Sequence, residues 1–82
     1  DMKFSDLQIA ITGKISIMSR DELKNLLMSE GAKVTSSISK KTDYLIAGEN
    51  AGSKLEKAKT LGVRIVDAVD INTFVNDPKK FL

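Results

Sequence analysis

Residues 7–31, LQIAITGKISIMSRDELKNLLMSEG, contain the pattern that decides the fold. At the start of this stretch Leu7, Ile9 and Ile11 alternate with small or polar residues, which is the period of a β-strand. Gly13 then interrupts the alternation. We therefore predict a strand over residues 7–12 that ends in a turn.

The second half of the same stretch has the signals of a helix. Ser19 and Glu22 have the spacing of a capping box, and Met18 and Leu23 occupy the two positions of a hydrophobic staple. Leucines then recur at helical spacing until a glycine suited to the left-handed position after a helix. These signals predict a helix over residues 20–30.

The rest of the chain continues the alternation of strands and helices. The other predicted strands are residues 33–35, 44–47 (YLIA) and 63–66, and residues 36–43 are a polar connection. A second capping box at Ser53 and Glu56 predicts a helix that ends before Gly62, and Asp70 is predicted to cap a short helix carrying Ile71 and Phe74. Alternating elements favour an α/β sandwich around a mostly parallel sheet. The short connection leaves open an antiparallel hairpin between residues 33–35 and 44–47.

Length and composition exclude several classes of function. The chain has 82 residues, a net charge of +2, no cysteine and no histidine. One small domain fits this length. The absence of cysteine excludes disulfides and thiolate metal sites, and the absence of histidine disfavours a zinc site and imidazole catalysis. No apolar run reaches the roughly 18 residues of a membrane span. We expect an intracellular, non-membrane, non-catalytic module without a metal or a cofactor.

Two cations at predicted helix starts suggest an anion site. Arg20 and Lys54 each follow a serine that is predicted to cap a helix. A cation at this position is unfavourable beside the positive end of the helix dipole. It becomes favourable when an anion binds at the helix N-terminus, because the cation and the unpaired N–H groups then both contact the anion. If the sheet is parallel, both helix starts are expected at its carboxyl edge, together with Thr12 and Gly13. The four residues predict a phosphate pocket. The alternative is that Arg20 and Lys54 are solvated surface residues balanced by nearby carboxylates.

Other candidate sites fail on spacing. Residues 48–54, GENAGSK, superficially resemble a phosphate-binding P-loop, but three residues instead of four separate the glycines, and a serine precedes the lysine. Asp67 and Asp70 are interpreted as caps rather than as an acid–base pair. Tyr44 begins an apolar strand and is interpreted as a core residue, which disfavours base stacking.

Five blocks of sequence together resemble the BRCT family. They are residues 11–13 (ITG), 19–23 (SRDEL), 31–34 (GAKV), 37–48 (SISKKTDYLIAG) and 52–63 (GSKLEKA through LGV). The resemblance covers about residues 4–75 of a single domain spanning 1–82, and residues 76–82 are a tail whose Phe81 is predicted to dock on the domain. It is strongest to the single BRCT domains of NAD-dependent DNA ligases and of the replication factor C large subunit. Many family members carry a Trp in the last helix, where this chain has Phe74.

The resemblance implies a fold and a function. The fold would be a four-stranded parallel sheet in the order 2-1-3-4, with helices 1 and 3 on one face and helix 2 on the other. The function would be binding of DNA at 5′-phosphorylated nicks or ends through Thr12, Gly13, Arg20 and Lys54. Possible additional DNA contacts are Lys14, Lys40, Lys41 and Lys57. The alternative is a protein-interaction module that binds phosphoserine peptide or a partner domain. We expect a monomer whose parent protein works in the bacterial nucleoid or the eukaryotic nucleus.

Overall fold

The computed structural model describes residues 4–35, 37–77 and 80. The strands are β1 (Gln8–Thr12), β2 (Lys33–Thr35), β3 (Tyr44–Ala47) and β4 (Arg64–Asp67). The helices are α1 (Arg20–Ser29), α2 (Ser53–Leu61) and α3 (Ile71–Asn76), and a 3₁₀ turn, Ala68–Asp70, precedes α3. Within the described residues the order of elements is the predicted one. The predicted docking of Phe81 lies outside them.

All four strands are parallel and lie in the order β2-β1-β3-β4. Ile9 of β1 lies opposite Val34 of β2 on one side and Tyr44 of β3 on the other. Because β1 lies between β2 and β3, the hairpin left open by the sequence does not form. The connection instead returns to the amino edge, where the Asp43 N–H donates to the Gln8 carbonyl over 2.8 Å.

The sheet is covered on both faces, which explains the continuous apolar run of β3. One core cluster joins α1 and α3 to the sheet through Ile9, Leu23, Leu27, Ile46, Ile71 and Phe74. The other joins α2 to the opposite face through Ala10, Leu45 and Ala58. Helices 1 and 3 therefore share one face, and helix 2 lies on the other, as the family resemblance implied.

An aromatic cluster fills the core beneath α3. The ring of Phe74 lies 5.2 Å from that of Phe4 and 4.9 Å, edge-on, from that of Tyr44. Both Phe4 and Phe74 are fully buried, and Tyr44 is 2% exposed. The interpretation of Tyr44 as a core residue is confirmed. Burial raises the pKa of its phenol.

Several predicted element ends are wrong by one residue. β1 begins at Gln8, α1 ends at Ser29, and β4 runs from Arg64 to Asp67. The prediction of Asp67 as a cap is confirmed, because its carboxylate accepts a hydrogen bond from the Val69 N–H over 3.1 Å. Asp70 occupies the cap position of α3, but its side chain makes no capping bond.

The second capping box does not form. Gly52 is the residue that caps α2, and it has no side chain with which to bond the first N–H groups of the helix. Ser53 is therefore the first residue of the helix and Lys54 the second, so the prediction that Lys54 is first is wrong. The backbone of Gly52 (φ 66°, ψ −142°) turns the chain into the helix one residue earlier than the serine would.

Candidate functional site

Two loops cross at the carboxyl edge of the sheet. The loop from β1 to α1 and the loop from β3 to α2 form a short antiparallel bridge between Lys14 and Glu49, with N–H···O distances of 2.8 and 2.9 Å. The Gly48 N–H also donates to the Thr12 carbonyl over 2.8 Å. The crossing fixes the two loops relative to each other.

Glycines make this crossing possible. A Cβ on Gly13 would lie 2.6 Å from the Glu49 carbonyl oxygen, and a Cβ on Gly48 would overlap the Lys14 carbonyl. Sequence reasoning placed Gly13 at the site but missed the role of Gly48. The available signal was that Gly48 directly follows a buried strand. The sequence does not show that this glycine contacts a loop that is far away along the chain.

Arg20 is fixed to the first of these loops. Its guanidinium Nη2 donates to the Gly13 carbonyl over 2.7 Å, although the side chain is exposed. Ser19 caps α1 just before it by accepting a hydrogen bond from the Glu22 N–H over 3.1 Å. A guanidinium has five N–H donors, so a bond to one carbonyl leaves it able to bind an anion.

Thr12 connects β1 to the loop that leads into α2. Its side chain is 6% exposed, and its hydroxyl donates to the Ala51 carbonyl over 3.3 Å. The structure therefore brings Thr12, Gly13 and Arg20 together. Lys54 is exposed three residues beyond Ala51, at the end of the loop that Thr12 holds.

The four additional lysines do not form one group. Lys14 belongs to the loop crossing, and Lys57 is exposed on α2. Lys40 and Lys41 lie in the turn before β3. The end of this turn is bonded to the amino edge of the sheet, where the Asp43 N–H donates to the Gln8 carbonyl. Lys40 and Lys41 are therefore at the opposite end of the strands from Thr12 and Gly13.

Within the described ranges there is no group of three or more His, Cys, Asp or Glu residues that could hold a metal ion. The same part of the chain contains no helix that is long and apolar enough to cross a membrane.

The sequence matches known proteins along most of its length. The profile of the BRCA1 C Terminus (BRCT) domain matches residues 1–72. A DNA ligase of Latilactobacillus sakei subsp. sakei (strain 23K) is 49% identical over 75 residues, which are 92% of this chain and 11% of the ligase. The chain thus spans about a ninth of the length of that relative.

Solved structures of other BRCT domains have the same fold. A crystal structure of Rad4 BRCT1,2 in complex with a Crb2 phosphopeptide aligns with a TM-score of 0.78 at 19% identity, over 99% of this chain and 48% of that one. The C-terminal BRCT domain of human XRCC1 aligns with a TM-score of 0.71 at 16% identity, over 98% and 84% of the two chains. At these identities the likeness establishes the fold.

Proposed function

Because the chain belongs to the BRCT family, we propose that it is a non-catalytic DNA-binding module of a DNA ligase that recognises 5′-phosphorylated nicks or ends. The 49% identity to a DNA ligase along 92% of the chain supports this parent protein. The similarity to a DNA ligase also supports an intracellular location, in a nucleoid or a nucleus. Catalysis would belong to other parts of the ligase.

One observation carries the proposal: the bond between Arg20 and the Gly13 carbonyl. It holds a cation over the loop crossing at the carboxyl edge of a parallel sheet, where ligands of such folds usually bind. A guanidinium fixed in this way loses less side-chain entropy when it binds a phosphate than a mobile one would. Arg20 is therefore positioned for an anion before the anion arrives.

The remaining residues have distinct roles in the proposed site. Lys54 supplies a second charge from the start of α2. The Gly13 N–H and the Thr12 hydroxyl orient phosphate oxygens, for which the hydroxyl exchanges its long bond to the Ala51 carbonyl for a charge-assisted one. Sequence-specific recognition is not expected, since phosphate contacts carry no direct sequence information.

The experiment is a titration of the domain with two duplexes that differ only in a 5′-phosphate, at several salt concentrations. We expect tighter binding to the phosphorylated duplex. Replacement of either cation, as in Arg20→Gln or Lys54→Gln, should lower the salt slope of log K by about one. NMR shift mapping should place the phosphate-dependent changes at Thr12, Gly13 and the two helix starts.

Arg64→Gln is the matched control. Arg64 is also exposed and also carries one positive charge, but it begins β4 at the amino edge of the sheet. The Arg64→Gln variant should therefore leave the difference in affinity between the two duplexes intact. If Arg20→Gln and Arg64→Gln behave alike, or if the wild-type domain does not distinguish the duplexes, the proposed pocket is wrong.

A phosphoserine peptide is the second candidate ligand. The observation that favours it is the fold shared with Rad4 BRCT1,2, which was solved with phosphopeptides. If the peptide uses the same residues, it should displace phosphorylated DNA from the domain, and Arg20→Gln should weaken both ligands. Peptide binding without any DNA binding would favour this alternative.

A further inference from the structure

An open depression of about 450 Å³ lies beside Arg20, between α1 and β2. Arg20, Asp21 and Lys24 form the wall that α1 provides. Ile11 of β1 and Val34 of β2 form an apolar floor, of which Ile11 is only 3% exposed. The volume lies within the range of pockets that hold small ligands.

The two cations of the wall are one helical turn apart. Arg20 and Lys24 are separated by four residues, so they lie on the same face of α1 and about 6 Å apart along its axis. Both are exposed. Asp21 contributes the single carboxylate among the lining residues, so positive charge predominates in the depression.

This arrangement fits a nucleic-acid strand better than a phosphopeptide. A strand carries phosphates at regular spacing, so a cation one turn beyond Arg20 meets a second phosphate when the first is held at Arg20. A peptide with one phosphoserine offers one phosphate and no second anion at a fixed distance. The apolar floor between the strands fits the sugar that joins two phosphates.

We propose that this depression binds the first internucleotide phosphate beyond the 5′-terminal one, and that Lys24 is the residue that contacts it. The inference rests on the proposed function, because it requires the terminal phosphate at Arg20. It adds a residue and a second anion subsite to that function. It also implies that the domain follows the phosphorylated strand rather than its complement.

The test is a double-mutant cycle between Lys24 and the DNA. Lys24→Gln is combined with a 5′-phosphorylated duplex whose first internucleotide linkage on that strand is a neutral methylphosphonate. With wild-type protein, neutralising the linkage should weaken binding by about two- to fivefold, the range of an exposed ion pair. With Lys24→Gln, the same neutralisation should have little effect, because the interaction is already lost.

Lys33→Gln is the matched control. Lys33 begins β2 at the amino edge of the sheet, outside the depression, and is also exposed. This variant should show the full wild-type response to the methylphosphonate. A methylphosphonate in the complementary strand should have the same effect on wild type and on Lys24→Gln.

Four results would overturn the inference. They are an equal methylphosphonate effect in wild type and Lys24→Gln, an equal coupling for Lys33→Gln, binding of a phosphoserine peptide with no binding of DNA, and equal binding of phosphorylated and unphosphorylated duplexes. The first two can occur while Arg20→Gln still reduces 5′-phosphate discrimination, in which case only the Lys24 subsite fails. The third or the fourth removes the proposed function itself.

Discussion

Gly13 lies in the loop crossing with no room for a side chain and with a positive φ of 78°. The Gly13→Ala variant should be destabilised in two ways. A left-handed conformation costs about 1–2 kcal/mol without glycine, and the overlap with the backbone of residues 48 and 49 adds about 1–3 kcal/mol. Urea unfolding measures the total.

Gly62→Ala separates these two effects. Gly62 has a similar φ of 76°, but nothing lies within 4 Å of the position of its Cβ. Its replacement should therefore cost only about 1–2 kcal/mol. Equal losses for the two variants would show that the crossing relaxes and does not hold the loops in place.

The place of the four candidate residues near one edge of the sheet could be predicted from the sequence because it depends on local patterns, whereas their binding of phosphate stays a prediction. A strand that ends at Thr12 and helices that begin near Arg20 and Lys54 must meet at one edge of a parallel sheet. The Arg20–Gly13 bond and the contact of Gly48 with Lys14 could not be assigned in this way. Both depend on the direction in which a loop turns after its strand, and side-chain periodicity does not report that direction.

At the scale of elements, two identical sequence signals have different structural outcomes. Ser19 and Ser53 each begin an S-x-x-E motif, but only Ser19 caps its helix. Ser19 itself is extended, with φ −69° and ψ 157°, as a capping residue requires. Before Ser53 the loop already turns at Asn50 and Gly52, both with positive φ, so Ser53 enters the helix.

This difference predicts different costs for the same mutation. Ser19→Ala removes the bond to the Glu22 N–H and should lower the free energy of unfolding by about 1 kcal/mol. Ser53→Ala is a surface replacement inside the first turn and should change it by no more than about 0.5 kcal/mol. Thermal or urea unfolding of the pair measures both values. A larger loss for Ser53→Ala would mean that its hydroxyl caps α2 in solution.

At the scale of the whole molecule, the alternation of strands and helices was enough to predict an α/β sandwich around a mostly parallel sheet, but it left open an antiparallel pairing of β2 and β3. The order β2-β1-β3-β4 came from the family resemblance alone. Periodicity identifies which residues are buried. It does not identify the strand order, because a central strand is buried on both faces whichever strands lie beside it. What fixes the order is contact between distant residues, such as the Asp43–Gln8 bond that returns the chain past β1.

The buried aromatic cluster makes global stability depend on pH in the alkaline range. Burial raises the pKa of Tyr44 above its ordinary value of 10.0; Arg64 opposes this shift and Asp43 adds to it. In the unfolded chain the phenol ionises near its ordinary pKa, whereas the folded chain retains the proton to higher pH. The unfolded state therefore binds fewer protons in that interval, and stability must fall as pH rises above about 10.

The chain has one tyrosine and no tryptophan, so ultraviolet absorbance of the tyrosinate reports Tyr44 alone. Its titration midpoint in the folded domain should lie above 10.0 and return to about that value in denaturant. Lysines also titrate in this alkaline range, so the Tyr44→Phe variant serves as the reference. Above about pH 10 the free energy of unfolding of this variant should fall less steeply with pH than that of the wild type. Equal slopes, or the same midpoint in the folded and unfolded chains, would mean that the phenol is solvated in the native state. The raised pKa and the alkaline loss of stability have the same cause: Tyr44 lies at the start of a central strand, where its ring packs against Phe74 in the core.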